Sequence, residues 1–257
     1  MPVQIAFSAA KVPLPKVLAP HFRHPSDPAT TLRCVYLPAE FTVTDPTAIT
    51  NFVSEVGAAD LISMNQQGRP DATRLPIRWD VDAAAVTERG WGQVRAHFAR
   101  ANPQWRAIGG GAEVLLVVSG PQVYVSPSAY PSKLEHGRVV PTWNYAVAHL
   151  RGTATIHDDA PWLHAFVTDL TNQHESKRAE PWAVSDAPAS YVEQLLTEIV
   201  GIEIAITEVT VKFKLSQNKD TADYEGVRSQ LASSPHGESQ LVAKLMAPDN
   251  YAKGSGV

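Results

Sequence analysis

The first segment whose residue types suit chemistry is the short stretch that begins at Arg100. Asn102 suits the N-cap of a helix and Pro103 suits its first turn, so the sequence predicts a short helix directly after a strand. A helix start presents unpaired backbone N–H groups, and Arg100 and Arg106 add positive charge beside it. The segment is therefore a candidate phosphate site, although most Asn-Pro helix starts bind nothing.

A second candidate is the proline-rich stretch 119–142 together with the residues that follow it. Its four prolines predict a long loop in place of a helix or a continuous strand. An aromatic plane beside an amide, hydroxyl groups and cations suits a flat, phosphorylated ligand, whereas an ordered loop that only packs on the fold is the alternative. The residues concerned are Ser126, Ser128, Tyr130, Ser132, Lys133, Arg138, Thr142, Trp143 and Asn144.

Two strand segments carry further cations. Arg74 lies in a predicted hairpin and is suited to bind a phosphate through two parallel hydrogen bonds, but strand arginines are more often solvated. Lys212 and Lys214 alternate along a later strand and therefore share one face. Their alternative role is to protect the edge of a sheet.

Several other kinds of site are excluded by the sequence. Cys34 is the only cysteine, which excludes an intramolecular disulfide and a multi-cysteine metal site. The glycines at 109–111 are not followed by the lysine and hydroxyl residue of a phosphate-binding loop, and neither G-x-S-x-G nor G-x-G-x-x-G occurs. The nine histidines are scattered without the spacing of metal ligands.

The elements that must position these residues alternate between helix and strand patterns. Helices are predicted from Asp45-Pro46 to Val56, around Trp162 to Leu170, from about Pro188 and after Asp220. Strands are predicted at 58–64, 71–79, 92–99, 112–119, 144–156 and 200–214. Because the strands show no regular βαβ rhythm, the predicted fold class is α+β, an antiparallel β-barrel with helices outside it.

The two ends differ from the middle in composition. Residues 1–34 contain six of the 20 prolines and carry a net charge of +3, which predicts a flexible arm. The Ser/Gly-rich residues 233–257 predict a flexible tail, with one short apolar turn as an alternative at Leu241, Val242, Leu245 and Met246. The predicted folded domain, 35–232, has 16 basic and 23 acidic residues, a net charge of −7. DNA is therefore a possible partner only through a local patch or the arm.

No segment reaches the roughly 18 apolar residues of a membrane span, and the single cysteine suits a cytoplasmic location.

Five short motifs occur in the order and at the spacing of a known family. They are Val35-Tyr36-Leu37-Pro38-Ala39-Glu40-Phe41, Ala101-Asn102-Pro103-Gln104-Trp105, Tyr130-Pro131-Ser132-Lys133, Val139-Val140-Pro141-Thr142-Trp143-Asn144-Tyr145 and Lys214-Leu215-Ser216-Gln217-Asn218. Over residues 35–232 the chain resembles the PaiB-type FMN-binding negative transcriptional regulators of bacteria. It departs from that pattern in its extra residues 1–34, and in Ala72-Thr73-Arg74-Leu75-Pro76, where relatives commonly read Ala-Ser-His-Leu-Pro.

The resemblance implies the split β-barrel of pyridoxamine-phosphate-oxidase-like flavoproteins, a homodimer that binds FMN in a cleft between its subunits. It implies flavin contacts from a strand and the loop after the next strand, from the segment that follows the long loop, and from the end of the last strand, supplied by the partner subunit. The cofactor-binding residues predicted on this basis are Thr73, Arg74, Leu75, Pro76, Arg100, Asn102, Trp105, Tyr130, Lys133, Thr142, Trp143, Asn144, Lys214, Ser216 and Gln217. No metal ligand is predicted.

Three functions stay open at this point. The resemblance implies a negative transcriptional regulator, but the sequence has no helix-turn-helix pattern and no basic recognition helix. A flavin-dependent oxidoreductase or flavin reductase is the alternative, since a flavin carries its chemistry itself and requires no recognisable acid or base from the protein. A haem-binding or haem-degrading protein is a weaker alternative that the same fold implies.

Overall fold

The computed structural model describes residues 36–247. The predicted N-terminal arm, 1–34, and the last ten residues lie outside this range. The eight strands are β1 (Thr42–Val43), β2 (Ala58–Met64), β3 (Pro70–Pro76), β4 (Arg78–Asp80), β5 (Gln93–Ala99), β6 (Glu113–Val125), β7 (Thr142–His157) and β8 (Ile199–Lys214). The helices are α1 (Pro46–Val56), α2 (Val86–Arg89), α3 (Gln104–Ile108), α4 (Ser132–His136), α5 (Ala160–Glu175), α6 (Ala189–Leu196), α7 (Thr221–Ala232) and α8 (Gly237–Leu245). Short 3-10 helices occupy Ala39–Phe41, Ala83–Ala85, Pro127–Ala129 and Val184–Asp186.

All eight strands belong to one antiparallel sheet that closes on itself. The strand order is β3-β2-β6-β7-β8-β5-β4, and β1 also pairs with β8. β3 and β4 stand at opposite ends of this order, yet Ile77 alone separates them in the chain. The two ends of the sheet are therefore adjacent in space, and the sheet forms a split β-barrel with helices around it. The predicted α+β class is confirmed.

The barrel interior follows the period-two alternation of the strands. Leu61, Leu116 and Leu150 pair in one row across β2, β6 and β7, and all three side chains are fully buried. Ile202 and Ile204 of β8 point to the same interior, as their alternation with polar residues predicts. Each such aliphatic side chain contributes about 2 kcal/mol through burial, so this core holds the polar sites at its surface in place.

The helix starts obey the capping rules read from the sequence. Asp45 caps α1, its carboxylate accepting the backbone N–H groups of Thr47 and Ala48 at 3.4 and 3.0 Å. Asp220 caps α7 in the same way through the N–H of Asp223 at 2.9 Å. At the other end of α1, Gly57 adopts a left-handed conformation with φ of 66°, which a glycine reaches without steric cost.

Two local expectations about strands and loops are wrong. The strand predicted at 71–79 is broken at the corner residue Ile77, because Pro76 ends β3 before β4 begins. The long loop predicted at 119–142 is partly strand, since β6 continues to Val125 through a bulge at residues 120–121. At this bulge a Cβ atom on Gly120 would lie 2.5 Å from the Phe52 ring.

The tail predicted to be flexible from Ser233 contains an ordered helix. α8 packs on α7 and β6, and Val242 and Met246 are fully buried. The surrounding serines and glycines suggested a mobile segment, but the apolar side chains at 241, 242, 245 and 246 repeat at helical spacing and supply enough buried area to dock the helix.

Candidate functional site

One group of predicted site residues forms a closed hydrogen-bond network, here called the β3–α3 cluster: Thr73, Asn102 and Gln104. The Thr73 hydroxyl donates to Oε1 of Gln104 at 2.5 Å and accepts from Nδ2 of Asn102 at 2.9 Å. Oδ1 of Asn102 accepts the backbone N–H of Gln104 at 2.9 Å and so supports the start of α3, but the helix begins at Gln104 with Pro103 as its N-cap residue, one position later than predicted.

Gln104 is the centre of this cluster, and the sequence prediction of site residues missed it. Its side chain is buried, and Nε2 donates to the carbonyl of Leu61 at 3.2 Å, to the hydroxyl of Ser63 at 3.0 Å and to the carbonyl of Asp71 at 3.1 Å. These contacts fix α3 against β2 and β3. The only sequence signal was its place in the Asn-Pro-Gln-Trp motif, because a glutamine two residues after a cap is usually exposed.

Arg74 lies on the opposite face of β3 from this cluster. Successive strand residues alternate between faces, so Thr73 and Leu75 point to one side and Arg74 to the other. Leu75 belongs to the buried core and Pro76 is exposed at the end of β3. Arg74 forms an exposed ion pair with Asp60 directly across β2, at 3.2 Å. The structure therefore does not bring Arg74 together with Thr73 and Asn102.

Arg100, which directly follows β5, connects this strand to the ends of β7 and α6 and to the start of β8. Its guanidinium forms a two-pronged contact with Asp158, donates to the carbonyl of Thr197, and donates to the carbonyl of Ile199 at 2.9 Å. These contacts use four of the five N–H groups of an arginine. The same contact holds the pKa of Asp158 below its ordinary value. Arg100 therefore has little capacity left for a phosphate.

Trp105 and Arg106 form the outer side of the β3–α3 cluster. The indole Nε1 of Trp105 donates to the carbonyl of Arg100 at 3.1 Å. The Arg106 guanidinium lies 4.4 Å from the Trp105 ring centre, within the range of a cation–π contact. Among the described residues Arg106 forms no ion pair with a carboxylate, so no acidic side chain there neutralises its charge on α3.

The second group, here called the β7–β8 cluster, consists of Thr142, Trp143, Asn144, Lys214 and Ser216. The ammonium of Lys214 donates to the Thr142 hydroxyl at 2.6 Å and to the Trp143 carbonyl at 2.6 Å. Partial burial lowers the pKa of Lys214, and the nearby charges of Lys212 and Lys219 lower it further. The cluster thus presents a confined positive charge.

Asn144 and Ser216 form the buried side of the β7–β8 cluster. Asn144 is fully buried, and its amide exchanges hydrogen bonds with the Ser216 hydroxyl at 3.0 and 3.1 Å. Ser216 has a φ of 66°, a left-handed conformation that is uncommon outside glycine. Gln217 stabilises the same turn, accepting the Leu215 N–H at 2.6 Å and donating to the Phe213 carbonyl at 2.5 Å. These three side chains shape the end of β8; Asn144 and Ser216 are buried, and Gln217 is half-buried.

The outer side of the β7–β8 cluster is aromatic. Trp143 is 47% exposed and Tyr124 is 52% exposed, and their rings meet edge to face at 6.3 Å. The Trp143 Nε1 donates to Oε1 of Gln122 at 3.1 Å, which fixes the plane of the indole. Leu134 and Val140 add exposed apolar side chains from the same stretch of chain. The predicted flat surface beside a cation is therefore present.

Tyr130 and Lys133 lie in the segment between β6 and β7. Tyr130 is buried, and its ring lies 5.0 Å from the ammonium of Lys219. Burial raises the pKa of its hydroxyl, and the charge of Asp223 raises it further. Lys133 is exposed on α4. The structure thus places Tyr130 beneath the surface of the segment and Lys133 on it.

The two clusters lie at different heights of the barrel within one chain. The β3–α3 cluster is at the level of Leu116 on β6, through the pairing of Thr73 with Leu61 and of Leu61 with Leu116. The β7–β8 cluster is at the level of Gln122, through the pairing of Lys214 with Tyr145 and of Tyr145 with Gln122. On β7 these two levels are Leu150 and Tyr145, five residues apart, which corresponds to about 17 Å along the strand.

Two other kinds of site are not found in the described part of the chain. Residues 36–247 contain no group of three or more His, Cys, Asp or Glu side chains arranged to hold a metal ion. None of the helices in this range has the length and apolar character needed to cross a membrane.

The chain is similar to proteins of bacteria and fungi. Residues 35–208 match the family model described as "Putative FMN-binding domain". The chain is 32% identical over 214 residues to "Protease synthase and sporulation protein PAI 2" of Bacillus subtilis, covering 82% of this chain and 96% of that protein. It is 39% identical over 184 residues to the uncharacterized protein AN0679 of Emericella nidulans, covering 62% of this chain and 73% of that protein. Among solved structures, the FAD and heme binding protein from Mycobacterium smegmatis has a TM-score of 0.49 at 18% identity, covering 68% of this chain and 74% of that one.

Proposed function

Because the chain belongs to this family of FMN-binding domains, we propose that it binds FMN between two copies of itself. The β3–α3 cluster of one copy holds the phosphate, and the β7–β8 cluster of the other copy faces the isoalloxazine ring. The observation that carries this proposal is the separation of the two clusters in a single chain, at two heights of the barrel. A second copy would bring the two halves of the site together.

The residues of the β3–α3 cluster suit a phosphate group. Asn102 has one amide N–H left after its bond to Thr73, and the Arg106 guanidinium, which lies over the Trp105 ring, adds positive charge to the same helix. Gln104 has no free donor, because its amide is committed to three oxygens, and its role is to hold Thr73 and Asn102 in position. Arg74 and Arg100, engaged elsewhere, are not included in this site.

The β7–β8 cluster suits the ring of a flavin and the contact with a second copy. Trp143 and Tyr124 expose aromatic faces, and Leu134 and Val140 extend an apolar surface beside them. Exposed apolar surface of this kind marks sites of association in soluble proteins. When bound, FMN would supply redox chemistry of its own, and the protein would bind it, orient it and limit the access of water.

A direct test uses two variants that each damage one cluster. Asn102→Leu is expected to weaken FMN binding at the phosphate end and Trp143→Ala at the ring end, each by about tenfold. If the site is shared, mixing the two variants gives heterodimers with one undamaged site, so about a quarter of the sites recover normal affinity after random subunit exchange.

The result that contradicts the shared site is a mixture that binds FMN no better than its two components. Wild-type protein that takes up no FMN at micromolar concentration would contradict flavin binding itself. Fluorescence quenching of FMN measures both outcomes, and riboflavin serves as the control ligand because it lacks the phosphate that the β3–α3 cluster would hold.

Control of gene expression is the second function we propose, supported by the resemblance to negative transcriptional regulators. The five described helices of eight or more residues carry only Arg228 and Lys244 as Lys or Arg side chains. A DNA-reading helix normally carries several. We therefore expect that any direct DNA contact uses residues 1–34. A mobility-shift assay of the full chain against a chain lacking residues 1–34 tests this, and equal DNA binding by both would contradict it.

A further inference from the structure

A cavity of about 720 Å³ opens between α1, the bulge of β6 and α8. Its volume lies within the range of about 300–1,000 Å³ that is common for sites of small ligands. None of the residues that line it belongs to the β3–α3 cluster or to the β7–β8 cluster. The cavity is therefore a separate candidate site, which neither half of the proposed flavin site uses.

The inner wall of this cavity is apolar and aromatic. Phe52 of α1 and Phe213 of β8 line it, and their rings meet edge to face at 5.0 Å. Val56 and Leu245 continue the wall, and Leu241 lines the cavity with a side chain that is 48% exposed. A ligand that covers such an exposed apolar side chain gains free energy from its burial. The wall thus suits a ligand with an aromatic or aliphatic body.

The charged side chains that line the cavity are three carboxylates and one ammonium group: Asp45, Glu55, Glu238 and Lys244. Two of the carboxylates serve the protein itself. Asp45 caps the start of α1, and Glu238, in the first turn of α8, accepts the backbone N–H of Gln122 at 3.3 Å. The lining as a whole keeps a formal charge of −2, which disfavours the phosphate of FMN and favours a cation.

Glu55 is the carboxylate that remains for a ligand. It is exposed, and it lies in the last turn of α1, where the helix dipole already places negative charge. This turn has no basic residue, and Glu55 forms no ion pair with Lys244 or with any other basic side chain of residues 36–247. The helix end and the carboxylate therefore both attract a cation at this position.

We propose that this cavity binds an organic amine, a compound with a protonated ammonium group and an aromatic or aliphatic body. The ammonium group donates hydrogen bonds to the Glu55 carboxylate, and each such bond is charge-assisted. The body of the amine lies against Phe52 and Phe213 and covers Leu241. Because the ligand has the opposite charge to FMN and uses other residues, the inference goes beyond the proposed function and does not depend on it.

The experiment titrates the full chain with two probes by calorimetry, without added FMN. Tryptamine carries an ammonium group on an indole ring, and indole-3-propionate carries a carboxylate on the same ring. We expect tryptamine to bind with a Kd below about 2 mM, and indole-3-propionate to bind at least about tenfold more weakly. Ala48→Phe introduces a ring from α1 into the cavity lining, so it should abolish tryptamine binding and leave FMN binding unchanged.

Two variants with the same change of charge test the role of Glu55. Glu55→Gln keeps the shape of the side chain and removes its charge, and we expect it to weaken tryptamine binding about fivefold. Glu193→Gln removes the same charge from an exposed position on α6, which does not line the cavity, and is expected to change nothing.

An absence of tryptamine binding up to about 10 mM would overturn the inference. Equal affinity for the two probes, or equal losses in Glu55→Gln and Glu193→Gln, would also overturn it, because the ring or the overall charge would then explain the binding. Loss of tryptamine binding in Trp143→Ala, with normal binding in Ala48→Phe, would place the amine on the aromatic surface of the β7–β8 cluster. Since no titration contains FMN, a failure of flavin binding is a separate outcome.

Discussion

The β3–α3 cluster and the β7–β8 cluster are both polar sites at the surface of one barrel, but they are built in opposite ways. In the first, neutral side chains satisfy one another around a buried amide, Gln104. In the second, a charged ammonium is held only by neutral oxygens, beside a backbone in a left-handed conformation at Ser216. A fully hydrogen-bonded network stabilises the fold. A charge without an ionic partner, next to a strained turn, can instead gain free energy when a ligand binds.

The difference between the two clusters indicates which residues stabilise the fold and which are free to bind a ligand. Gln104, at the centre of the β3–α3 cluster, ties α3 to two strands, so damage at Gln104 should act first on folding, whereas Asn102 at the edge of the cluster keeps a donor for a ligand. The β7–β8 cluster exposes its cation and indole, so damage to its outer side should act first on ligands. Its inner side, Asn144 and Ser216, again serves the fold. The following variants test this division, from the largest expected effect to the smallest.

Gln104→Leu is expected to cost the most stability, about 3 kcal/mol. The leucine fills the space but leaves the hydroxyls of Thr73 and Ser63 and two backbone carbonyls without their partner, and unsatisfied buried groups cost about 1–3 kcal/mol each before relaxation. Urea unfolding measures the loss. Gln122→Leu, which breaks only the exposed bond to Trp143, is the matched control and should cost less than about 1 kcal/mol. Equal losses in the two variants would show that the β3–α3 network does not hold the fold.

Ser216 offers a test of the constrained turn. A glycine substitution usually lowers stability more than an alanine substitution, and at Ser216 we expect the opposite order. Ser216→Ala removes the hydroxyl that Asn144 requires and keeps the Cβ strain, so we expect a loss of about 2 kcal/mol. Ser216→Gly removes the same hydroxyl but relieves the left-handed conformation, which offsets about 1 kcal/mol. Unfolding free energies should therefore place Gly above Ala. The reverse order would mean that the turn stores no strain.

Lys214 distinguishes the two clusters by pH, since the β3–α3 cluster has no group that titrates. A lysine whose folded pKa is lowered binds its proton more weakly when folded than when unfolded. Its contribution to stability is therefore greatest above the unfolded pKa, near 10.5, and is lost as the pH falls through the folded value. We expect stability relative to Lys214→Met to rise by less than about 1 kcal/mol as the pH rises from below the folded pKa of Lys214 toward 10.5, because solvent screens a half-buried group.

The control for this pH effect is Thr73→Val, whose stability difference from wild type should stay constant over the same range. NMR titration of the lysine side chains gives the pKa directly, and Lys219→Met should raise the value for Lys214 by removing a repelling charge. An unchanged Lys214 pKa in that variant would show that the charge of Lys219 does not act on Lys214.

The sequence predicted the fold class and most elements because their signals are local. The alternation at Ile202, Ile204 and Ile206 and the caps at Asp45 and Asp220 depend on neighbours in the chain. The break at Ile77 could not be predicted, since it depends on where the barrel closes. The helix α8 was obscured by serines and glycines, although its apolar residues had the correct spacing.

Site residues were harder to predict than elements, because a residue's role depends on what faces it across the sheet. Thr73, Asn102, Thr142, Trp143 and Lys214 fall into two coherent clusters, as their types suggested. Arg100 was chosen for its charge, but its partners Asp158, Thr197 and Ile199 lie 58 to 99 residues away in the chain. No local pattern shows that such a guanidinium is occupied, and none shows that Gln104 is buried.

Arg74 gives the smallest expected effect and the sharpest test of which face of β3 serves the site. Its ion pair with Asp60 is exposed, so Arg74→Gln should cost less than about 1 kcal/mol of stability. Because its side chain lies on the face opposite Thr73, FMN affinity should stay within about twofold, although an arginine beside a phosphate is normally worth more than tenfold. Thr73→Val, one residue away on the inner face, should weaken FMN binding by releasing Asn102. If Arg74→Gln weakened FMN binding more than Thr73→Val, the phosphate would lie on the outer face of β3. Arg74 and its neighbours, and not the β3–α3 cluster, would then bind the phosphate.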